Sequence, residues 1–479
     1  MLLDPDRCYR ALKAHDSRFD GRFFVGVSST HVYCRPVCTV RTPKRENCNF
    51  FPSAAAAEAA GYRPCLRCRP ELAPGYAAVD AGARLAHAAA SLIEDGLVDD
   101  ASIAALAERL GVTDRHLRRI FQTQFGVSPV EFAQTQRLLL AKRLLSDTSL
   151  SITEVAMASG FGSLRRCNAL FRSRYRLSPS DLRKSAQRPE SSDGLLFQLG
   201  YRPPLDWPAL VAFLERRAIE GVEEVQGLTY RRVVRLEHGG KQHAGWIALR
   251  PVAGKAALEV TLSPSLAKAI PVALARVKRL CDLHCDPAEI ERALGALAAD
   301  NPGLRVPGAF DGFEIAVRAI LGQQVTVKAA RTLAGRFAAA FGEPLDTPFG
   351  ALRRIFPAAP RIAALPVSSI AELGIVSARA KAVIALAEAM TAGGLDLDPR
   401  TDTEVVLAKL RRLPGIGEWT AQYLAMRALT WPDAFPHSDY GVLKALGESD
   451  PRKALERAAQ WRPWRAYAVM HLWKSLEAR

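Results

Sequence analysis

Four cysteines in two short-spaced pairs constrain this chain more than any other feature. Three residues separate Cys34 from Cys38, and two separate Cys65 from Cys68, with 26 residues between the pairs. Two such pairs can close a tetrahedral metal site, because each pair spans one edge of the tetrahedron. The spacing therefore predicts one zinc ion held by four thiolates. Unrelated free thiols are the alternative interpretation.

The cysteine count and the first residues also bear on location. The chain has nine cysteines, and it begins Met-Leu-Leu-Asp-Pro-Asp. An odd count argues against a disulfide framework, and a secretory signal needs a basic flank and an apolar stretch. The sequence contains no run of 18 apolar residues, so no membrane span is predicted. We therefore expect a bacterial, cytoplasmic, nucleoid-associated protein with no membrane partner, and the length of 479 residues predicts about three domains.

Positive charge is spread along the whole chain. Lysine and arginine number 65 against 49 acidic residues, a net charge of +16. Residues 1–190 carry 28 basic and 19 acidic side chains (+9), and the remainder carries 37 and 30 (+7). This distribution favours several separate contacts with nucleic acid over one basic tail. A composition rich in Ala and Arg that raises the isoelectric point without any binding is the alternative.

Basic residues are concentrated around the cysteines. They are Arg35, Arg41, Lys44, Arg45, Arg63, Arg67 and Arg69. Four thiolates around Zn²⁺ leave a net charge of −2, which keeps the sulfurs nucleophilic at neutral pH. A basic surface beside a nucleophilic thiolate fits a site that meets a phosphate backbone, whereas a purely structural zinc site is the simpler alternative.

Three segments carry a family resemblance over about residues 4–76. They are Tyr33–Cys38, Arg45–Asn47 and Gly61–Cys68, and they resemble the N-terminal domain of the bacterial Ada family. The resemblance implies that Cys34 irreversibly accepts a methyl group from a DNA methylphosphotriester while all four cysteines bind zinc. The spacing alone cannot single out Cys34. Arg35, Arg41 and Arg45 are the expected DNA contacts of this domain.

Residues 80–185 contain two copies of a helix-turn-helix pattern. Ile103–Ile120 has small Ala107 and turn-forming Gly111, and a second copy starts 49 residues later at Ile152. Each copy is followed by Ser-Pro, and the arrangement resembles the AraC-type DNA-binding domain. Promoter DNA and RNA polymerase are the expected partners, and a helical spacer is the alternative. The expected DNA contacts are Arg115, Arg118, Arg165 and Arg166.

The remaining chain has a mixed part and a helical part. Residues 186–194 are polar, with Pro and Gly, and are predicted to be a linker. From 195 to 285 the pattern predicts a helix at about 206–218 and strands at Val233–Leu236, Trp246–Leu249 and Leu258–Leu262. Residues 286–475 return to amphipathic helices.

A Gly-rich hairpin precedes a single aspartate in that helical part. In Leu413–Ala421, Gly415 and Gly417 let backbone N–H groups turn outward toward a phosphate. This is a helix-hairpin-helix pattern, where a monovalent cation is a further candidate ligand. Asp439 follows 22 residues after Gly417. Alone it would be read as a helix N-cap, but its place after the hairpin resembles the helix-hairpin-helix DNA glycosylases.

Further segments resemble the AlkA branch of that family over about residues 195–475. They are Phe310–Glu314, Leu321–Val325, Trp419–Tyr423 and Trp461–Tyr467. The resemblance implies excision of an alkylated purine that is flipped out of the DNA stack. Ionised Asp439 would stabilise the oxocarbenium-like sugar. The expected base pocket is Trp419, Tyr423, Tyr440 and Trp464, with ordinary core packing the alternative for Tyr423 and Tyr467.

Departures from the related families limit the chemistry. Trp419 stands where bifunctional relatives carry the lysine that forms a Schiff base, which predicts a monofunctional glycosylase. Gln324 stands where the archetype inserts a leucine wedge into the DNA. No cysteine follows Cys285, so the iron–sulfur cluster of some relatives is not expected. The methyl-acceptor core Pro-Cys-His-Arg of the Ada family is missing, so repair of O6-alkylguanine is not expected.

These patterns predict a multidomain, mainly α protein. Its parts are a small zinc-bound α+β domain (1–76), an all-α double helix-turn-helix domain (80–185), an α+β subdomain (195–285) and an all-α helix-hairpin-helix domain (286–475). The predicted function is excision of 3-methyladenine-type bases, combined with methyl transfer to Cys34 that activates promoter binding. The alternative is a sequence-specific regulator whose glycosylase half binds DNA without catalysis.

Overall fold

The fold is described from a computed structural model that covers residues 3–74, 81–94, 103–185, 194–399 and 401–477. The predicted linker 186–194, apart from Gly194, and the expected boundary at 76–80 lie outside these residues. Within them, the multidomain, mainly α architecture is confirmed: a small sheet, a run of helices, a larger sheet and a second run of helices.

The N-terminal domain is a four-stranded sheet with two helices. Its elements are α1 (Pro5–Lys13), β1 (Phe24–Val27), β2 (Val32–Cys34), β3 (Cys48–Phe51), α2 (Ala54–Ala59) and β4 (Arg63–Pro64). The strand order is β3-β1-β2-β4, and β2 and β4 run parallel. Parallel strands end at the same edge of a sheet. Cys34 ends β2 and Cys65 follows β4, so the topology brings the two cysteine pairs together.

Seven helices lie in the described part of the helix-turn-helix domain, residues 81–94 and 103–185. They are α3 (Ala81–Glu94), α4 (Ile103–Arg109), α5 (Asp114–Phe125), α6 (Pro129–Asp147), α7 (Ile152–Ala158), α8 (Leu164–Tyr175) and α9 (Pro179–Ser185). The Ser-Pro pairs mark the starts of α6 and α9, and Ser128 forms a capping box with Glu131. Gly111 (φ +67°) and Gly160 (φ +77°) adopt left-handed backbone in the two turns, which glycine allows without steric cost.

An antiparallel sheet of five strands follows, in the order β5-β9-β8-β7-β6. Its elements are β5 (Leu195–Gly200), α10 (Trp207–Glu215), β6 (Glu223–Gln226), β7 (Thr229–His238), β8 (Lys241–Pro251), β9 (Ala257–Leu262), α11 (Ile270–Leu280) and α12 (Pro287–Leu294). The three predicted strand runs lie within β7, β8 and β9, and the predicted helix is α10. The edge strands β5 and β6 were not predicted, because neither has a β-branched run.

The C-terminal part is helical. It contains α13 (Gly312–Leu321), α14 (Val327–Phe341), β10 (Glu343–Pro344), β11 (Arg354–Ile355), α15 (Ala359–Ala363), α16 (Val367–Ala371), α17 (Ser377–Thr391), α18 (Thr403–Leu410), α19 (Glu418–Arg427), α20 (Tyr440–Leu446), α21 (Pro451–Arg457) and α22 (Arg465–Ser475). None of the helices in the described ranges is long and apolar enough to cross a membrane.

The hydrophobic cores do not follow the domain boundaries expected from sequence. One continuous cluster of buried apolar residues runs from Leu138 in α6 to Leu472 in α22. The second helix-turn-helix unit therefore shares a core with most of the C-terminal half, apart from a small separate cluster of Val233, Leu352 and Ile355. The first unit has its own cluster, which also takes in Ala55 and Ala56 of α2. Burial of shared apolar surface thus docks the domains against one another.

Candidate functional site

The four predicted zinc ligands meet at one edge of the N-terminal sheet. The sulfur atoms of Cys34, Cys38, Cys65 and Cys68 all lie within 4.8 Å of one another. Tetrahedral zinc with Zn–S bonds of about 2.3 Å places its sulfurs about 3.8 Å apart, so the cluster is of the right size. Cys34 is 5 % exposed and Cys38 1 % exposed. The donor set and its burial fit zinc.

The basic residues near the cysteines differ in their freedom to meet DNA. Arg41 is exposed, and Arg45 lies 5.3 Å from the ring centre of Phe50 and 3.4 Å from Asp6. The guanidinium of Arg35, in contrast, is an inward-facing group that forms an ion pair with buried Asp20. The expectation of a DNA contact therefore does not carry over to Arg35, because its donors are already used within the protein.

The helix-turn-helix arginines lie at the starts of α5 and α8. The side-chain oxygens of Thr113 and Ser163 cap these two helices. Arg115, Arg165 and Arg166 are exposed, and Arg118 is exposed while pairing with Asp114 at 3.0 Å. The structure therefore presents these residues near the N-terminal ends of two corresponding helices, the position from which recognition helices read DNA.

The glycine hairpin joins α18 to α19. Gly415 has φ +76°, and a Cβ there would lie 2.9 Å from Cβ of Ala382. Gly417 is the N-cap of α19 and has no side chain to bond the free N–H groups. Gln323, which sequence reasoning passed over, donates to the carbonyl of Gly415 (2.8 Å) and to Oγ1 of Thr420 (2.9 Å). These bonds attach the turn after α13 to the hairpin.

The next residue in that turn is the predicted wedge. Gln324 is exposed and has φ +54°, a backbone conformation that is uncommon outside glycine. Exposed Val325 and Val327 follow it. These exposed side chains therefore lie in a turn that is hydrogen-bonded to the hairpin through Gln323.

Asp439 is the N-cap of α20, and its carboxylate also accepts hydrogen bonds from two tryptophans. Its Oδ1 accepts the backbone N–H of Val442 at 3.0 Å and so caps α20. Its Oδ2 accepts Nε1–H of Trp419 at 2.8 Å, and Oδ1 also accepts Nε1–H of Trp473 at 2.9 Å. Two indoles thus hold the carboxylate in one orientation. A helix cap alone needs neither of them.

Aromatic rings surround this carboxylate. Trp419 stacks on Tyr423, with ring centres 5.3 Å apart and planes at 14°. Trp473 stacks on Phe213 of α10, at 6.4 Å and 17°. Tyr440 is 78 % exposed beside Asp439. The α+β subdomain therefore supplies one ring of the group, which sequence reasoning did not anticipate.

Trp464, predicted as a pocket wall, lies elsewhere. Its ring packs edge to face on Tyr467, with centres 5.7 Å apart, and the Tyr467 hydroxyl donates to Asp282 at 2.8 Å. Trp464 precedes Trp473 by nine residues, or about 13 Å along a helix at 1.5 Å per residue. The tryptophan that meets Asp439 is Trp473, and Tyr467 is a core residue. Trp473 follows Asp439 by 34 residues. No local sequence pattern connects the two residues, so the sequence alone could not identify Trp473.

A buried arginine lies behind Tyr423. Nη1 of Arg427 donates to the Tyr423 hydroxyl at 2.8 Å, and its guanidinium lies 4.9 Å from the ring centre of Phe213. Burial raises the pKa of Tyr423, but the positive charges of Arg427 and Arg217 outweigh this effect and leave the pKa below its usual value. The region behind Tyr423 is therefore positively charged, and a hydrogen bond from Arg427 fixes the tyrosine hydroxyl.

Four family models match the chain in sequence order. They are the metal binding domain of Ada (7–71), a helix-turn-helix domain (106–185), the AlkA N-terminal domain (196–311) and the HhH-GPD superfamily base excision DNA repair protein (317–461). The first two cover the cysteine cluster and both helix-turn-helix units. The last covers the hairpin and Asp439.

Individual relatives agree with these matches. A probable bifunctional transcriptional activator/DNA repair enzyme AlkA of Mycobacterium tuberculosis (strain ATCC 25618 / H37Rv) is 40 % identical, over 99 % of this chain and 97 % of its own. DNA-3-methyladenine glycosylase 2 of Escherichia coli (strain K12) is 37 % identical, over 58 % of this chain and 96 % of its own. A solved 3-methyladenine DNA-glycosylase from Archaeoglobus fulgidus shares the fold (TM-score 0.50, 20 % identity) over 58 % of this chain and 97 % of its own.

Proposed function

This chain belongs to the family of the bifunctional transcriptional activator/DNA repair enzyme AlkA, and from that membership we propose that it excises alkylated bases from DNA and senses backbone methylation. The observation that carries the proposal is the Asp439 carboxylate, held by the indoles of Trp419 and Trp473 among stacked aromatic rings.

The glycosylase reaction follows from this arrangement. An N3- or N7-alkylated purine is cationic and, once flipped out of the helix, stacks favourably on electron-rich rings such as those of Trp419 and Tyr423. As the glycosidic bond breaks, its electron pair leaves with the base and positive charge develops on the sugar. The Asp439 carboxylate stabilises that charge and accepts a proton from the water that attacks C1′. The products are the free base and an abasic site.

Strand cleavage is not part of this proposal. A lyase needs an amine that forms a Schiff base with the sugar. The corresponding position is Trp419, whose indole N–H is bonded to Asp439. The abasic strand is therefore released intact, and borohydride should trap no covalent adduct.

The cysteine cluster supports methyl transfer. Zinc, when bound, keeps the four thiolates deprotonated at neutral pH. Sγ of Cys34 attacks the methyl carbon of a methylphosphotriester; an S–C bond forms, the C–O bond breaks and its electron pair stays on the phosphate oxygen. The product is an ordinary phosphodiester and a methylated Cys34, so each molecule reacts once. Exposed Arg41 and partly exposed Arg45 are the proposed phosphate contacts of this domain.

The helix-turn-helix units supply promoter recognition. Methylating Cys34 changes the cluster charge from −2 to −1, and removing one repulsive unit charge near phosphates strengthens DNA binding. The DNA is read by Arg115, Arg118, Arg165 and Arg166. RNA polymerase is the proposed protein partner, and the protein acts in the cytoplasm, at the nucleoid.

The hairpin contacts the backbone of damaged DNA through Gly415 and Gly417, and a monovalent cation is a candidate bridging ligand there. Gln324 enters the gap left by the flipped base.

The test is base release from alkylated duplex DNA by wild-type protein and by Asp439→Asn. Release by the wild type and its loss in the variant support catalysis. DNA binding without release by the wild type would favour the alternative, a regulator whose glycosylase half only binds DNA.

A further inference from the structure

A line of buried polar contacts connects the C-terminal half of the chain, residues 194–477, to the cysteine cluster. It starts at Arg202, between β5 and α10, which is 2 % exposed. Nε of Arg202 donates to the backbone carbonyl of Asp20 at 3.1 Å. Its Nη1 donates to the carbonyls of His284 (2.8 Å) and Cys285 (3.3 Å). The Arg202 side chain thus joins Asp20 of the N-terminal domain to the backbone at residues 284 and 285 of the C-terminal half.

The line continues through the carboxylate of Asp20. This residue is 3 % exposed, and its Oδ1 accepts Nε–H of Arg35 at 2.8 Å within an ion pair. The backbone N–H of Arg35 donates to Sγ of Cys68 at 3.4 Å, and its Nη1 donates to the Cys68 carbonyl at 3.2 Å. Arg35 is also the chain neighbour of Cys34. The position of Arg35 therefore affects both Cys34, to which it is covalently joined, and Cys68, to which it is hydrogen-bonded.

Neighbouring contacts show how tightly the two halves fit here. A Cβ at Gly200 would lie 2.3 Å from the carbonyl oxygen of Leu72, so the backbones meet at a distance only glycine permits. Arg22, two residues after Asp20, forms ion pairs with Asp286 and, at 3.2 Å, with Glu289 of α12. The contact at Asp20 is thus part of a docked surface.

We propose that the C-terminal half is a structural part of the methyl-acceptor site, with Arg202 and Asp20 as positioning residues that hold Arg35 against Cys68 and so orient Cys34. This inference rests on the proposed methyl transfer. Without Arg202, the buried Asp20 carbonyl loses its donor, and leaving a buried polar group unsatisfied is costly enough to shift the loop that carries it.

The experiment uses full-length zinc-loaded protein with Arg202→Met, which keeps length and apolar bulk but removes the donors. Three rates are measured on one preparation: zinc release to excess chelator, single-turnover methyl transfer to Cys34, and base release. We expect zinc release to be faster and methyl transfer slower, each by about fivefold or more. Base release should stay within about twofold, because no contact joins Arg202 to Asp439 among the described residues. Arg216→Met, which removes a surface ion pair with Glu477, is the matched control and should leave all three rates unchanged.

Each failure has its own signature. Wild-type zinc release and methyl transfer in Arg202→Met would overturn the positioning role. A wild-type protein that never methylates Cys34 would overturn the proposed methyl transfer, while zinc release would still report on positioning. If Arg202→Met does not fold, near-isosteric Asp20→Asn weakens the same line of contacts at the Arg35 ion pair, and the same rates decide. A loss of all three rates together with a lower melting temperature would show global destabilisation and count against a specific role.

Discussion

The indole N–H of Trp473 donates to Oδ1 of Asp439 at 2.9 Å, across 34 positions of sequence. With the bond from Trp419 to Oδ2, it holds the carboxylate from both sides. A carboxylate positioned before the reaction can stabilise developing charge without reorganising.

Replacing Asp439 by Asn should reduce base release by about 10² or more, because the charge facing the oxocarbenium-like sugar is lost. Single-turnover release of an alkylated purine measures the effect, and DNA affinity should persist. Asp450→Asn is the matched control, since Asp450 caps α21 through the N–H of Arg452 and has no indole partner among the described residues. Near-normal release by Asp439→Asn would mean that another carboxylate is the catalyst.

Replacing Trp473 by Phe keeps a ring to stack on Phe213 but removes the hydrogen bond to Asp439. We expect base release to fall about tenfold, mainly in kcat, since a hydrogen bond to a charged group is worth about 1.5–3 kcal/mol. Trp207→Phe is the control, because its indole N–H donates to the Leu228 carbonyl at 2.9 Å and to no carboxylate among the described residues. Equal losses in the two variants would indicate a general packing effect. The substitution Trp464→Phe should leave kcat nearly unchanged.

Metal content should depend on the cysteine cluster alone. Cys65→Ala or Cys68→Ala removes one of four ligands and should abolish tight binding of one zinc per chain, measured by elemental analysis. Cys48→Ala removes a buried cysteine outside the cluster and should keep the zinc. Loss of zinc in Cys48→Ala, or its retention in both cluster variants, would contradict the assignment. In the wild-type protein, mass spectrometry should find a single methyl group, on Cys34, after incubation with methylphosphotriester DNA.

Glu58 should make the N-terminal domain less stable as pH rises. It lies buried where Tyr33, Thr135 and Tyr175 donate to its carboxylate, and burial raises its pKa from 4.5 to about 7 despite these bonds and nearby Arg174. A carboxyl whose folded pKa is raised stabilises the fold fully below pH 4.5 and loses that contribution as pH rises through about 7. The expected loss is about 3 kcal/mol, from 1.4 kcal/mol per pKa unit.

The measurement is the unfolding midpoint of the N-terminal domain at pH 5 and pH 8. Glu58→Gln cannot ionise and should flatten the difference between the two. Glu46→Gln changes an exposed residue, whose ion pair with Lys44 spans 3.7 Å, and should keep the wild-type dependence. A steep dependence that survives in Glu58→Gln would place its origin in another group.

Methylated full-length protein should bind its own regulatory DNA more tightly than the unmethylated form, by about tenfold at low salt. The difference should narrow as salt rises, because it is electrostatic. Titration of labelled promoter DNA at two salt concentrations measures both effects. Equal affinities at low salt would leave the N-terminal domain as a repair device without regulatory action.

Local spacing was enough to locate the short motifs, although it could not single out Cys34 among the four cysteines. The cysteine pairs, the two helix-turn-helix units, the hairpin glycines and the aspartate after the hairpin each occupy a short stretch with a characteristic spacing. Such patterns are legible in one sequence because neighbours along the chain remain neighbours in the fold.

Only the tertiary structure decided which distant side chains complete each site. It placed Trp473 rather than Trp464 beside Asp439, and Phe213 of a different subdomain behind it. It turned Arg35 inward onto Asp20, where sequence suggested a DNA contact. The physical reason is that these partners meet through packing of elements far apart in the chain, and the burial that selects them depends on which surfaces come together, a property that the spacing of residues does not encode.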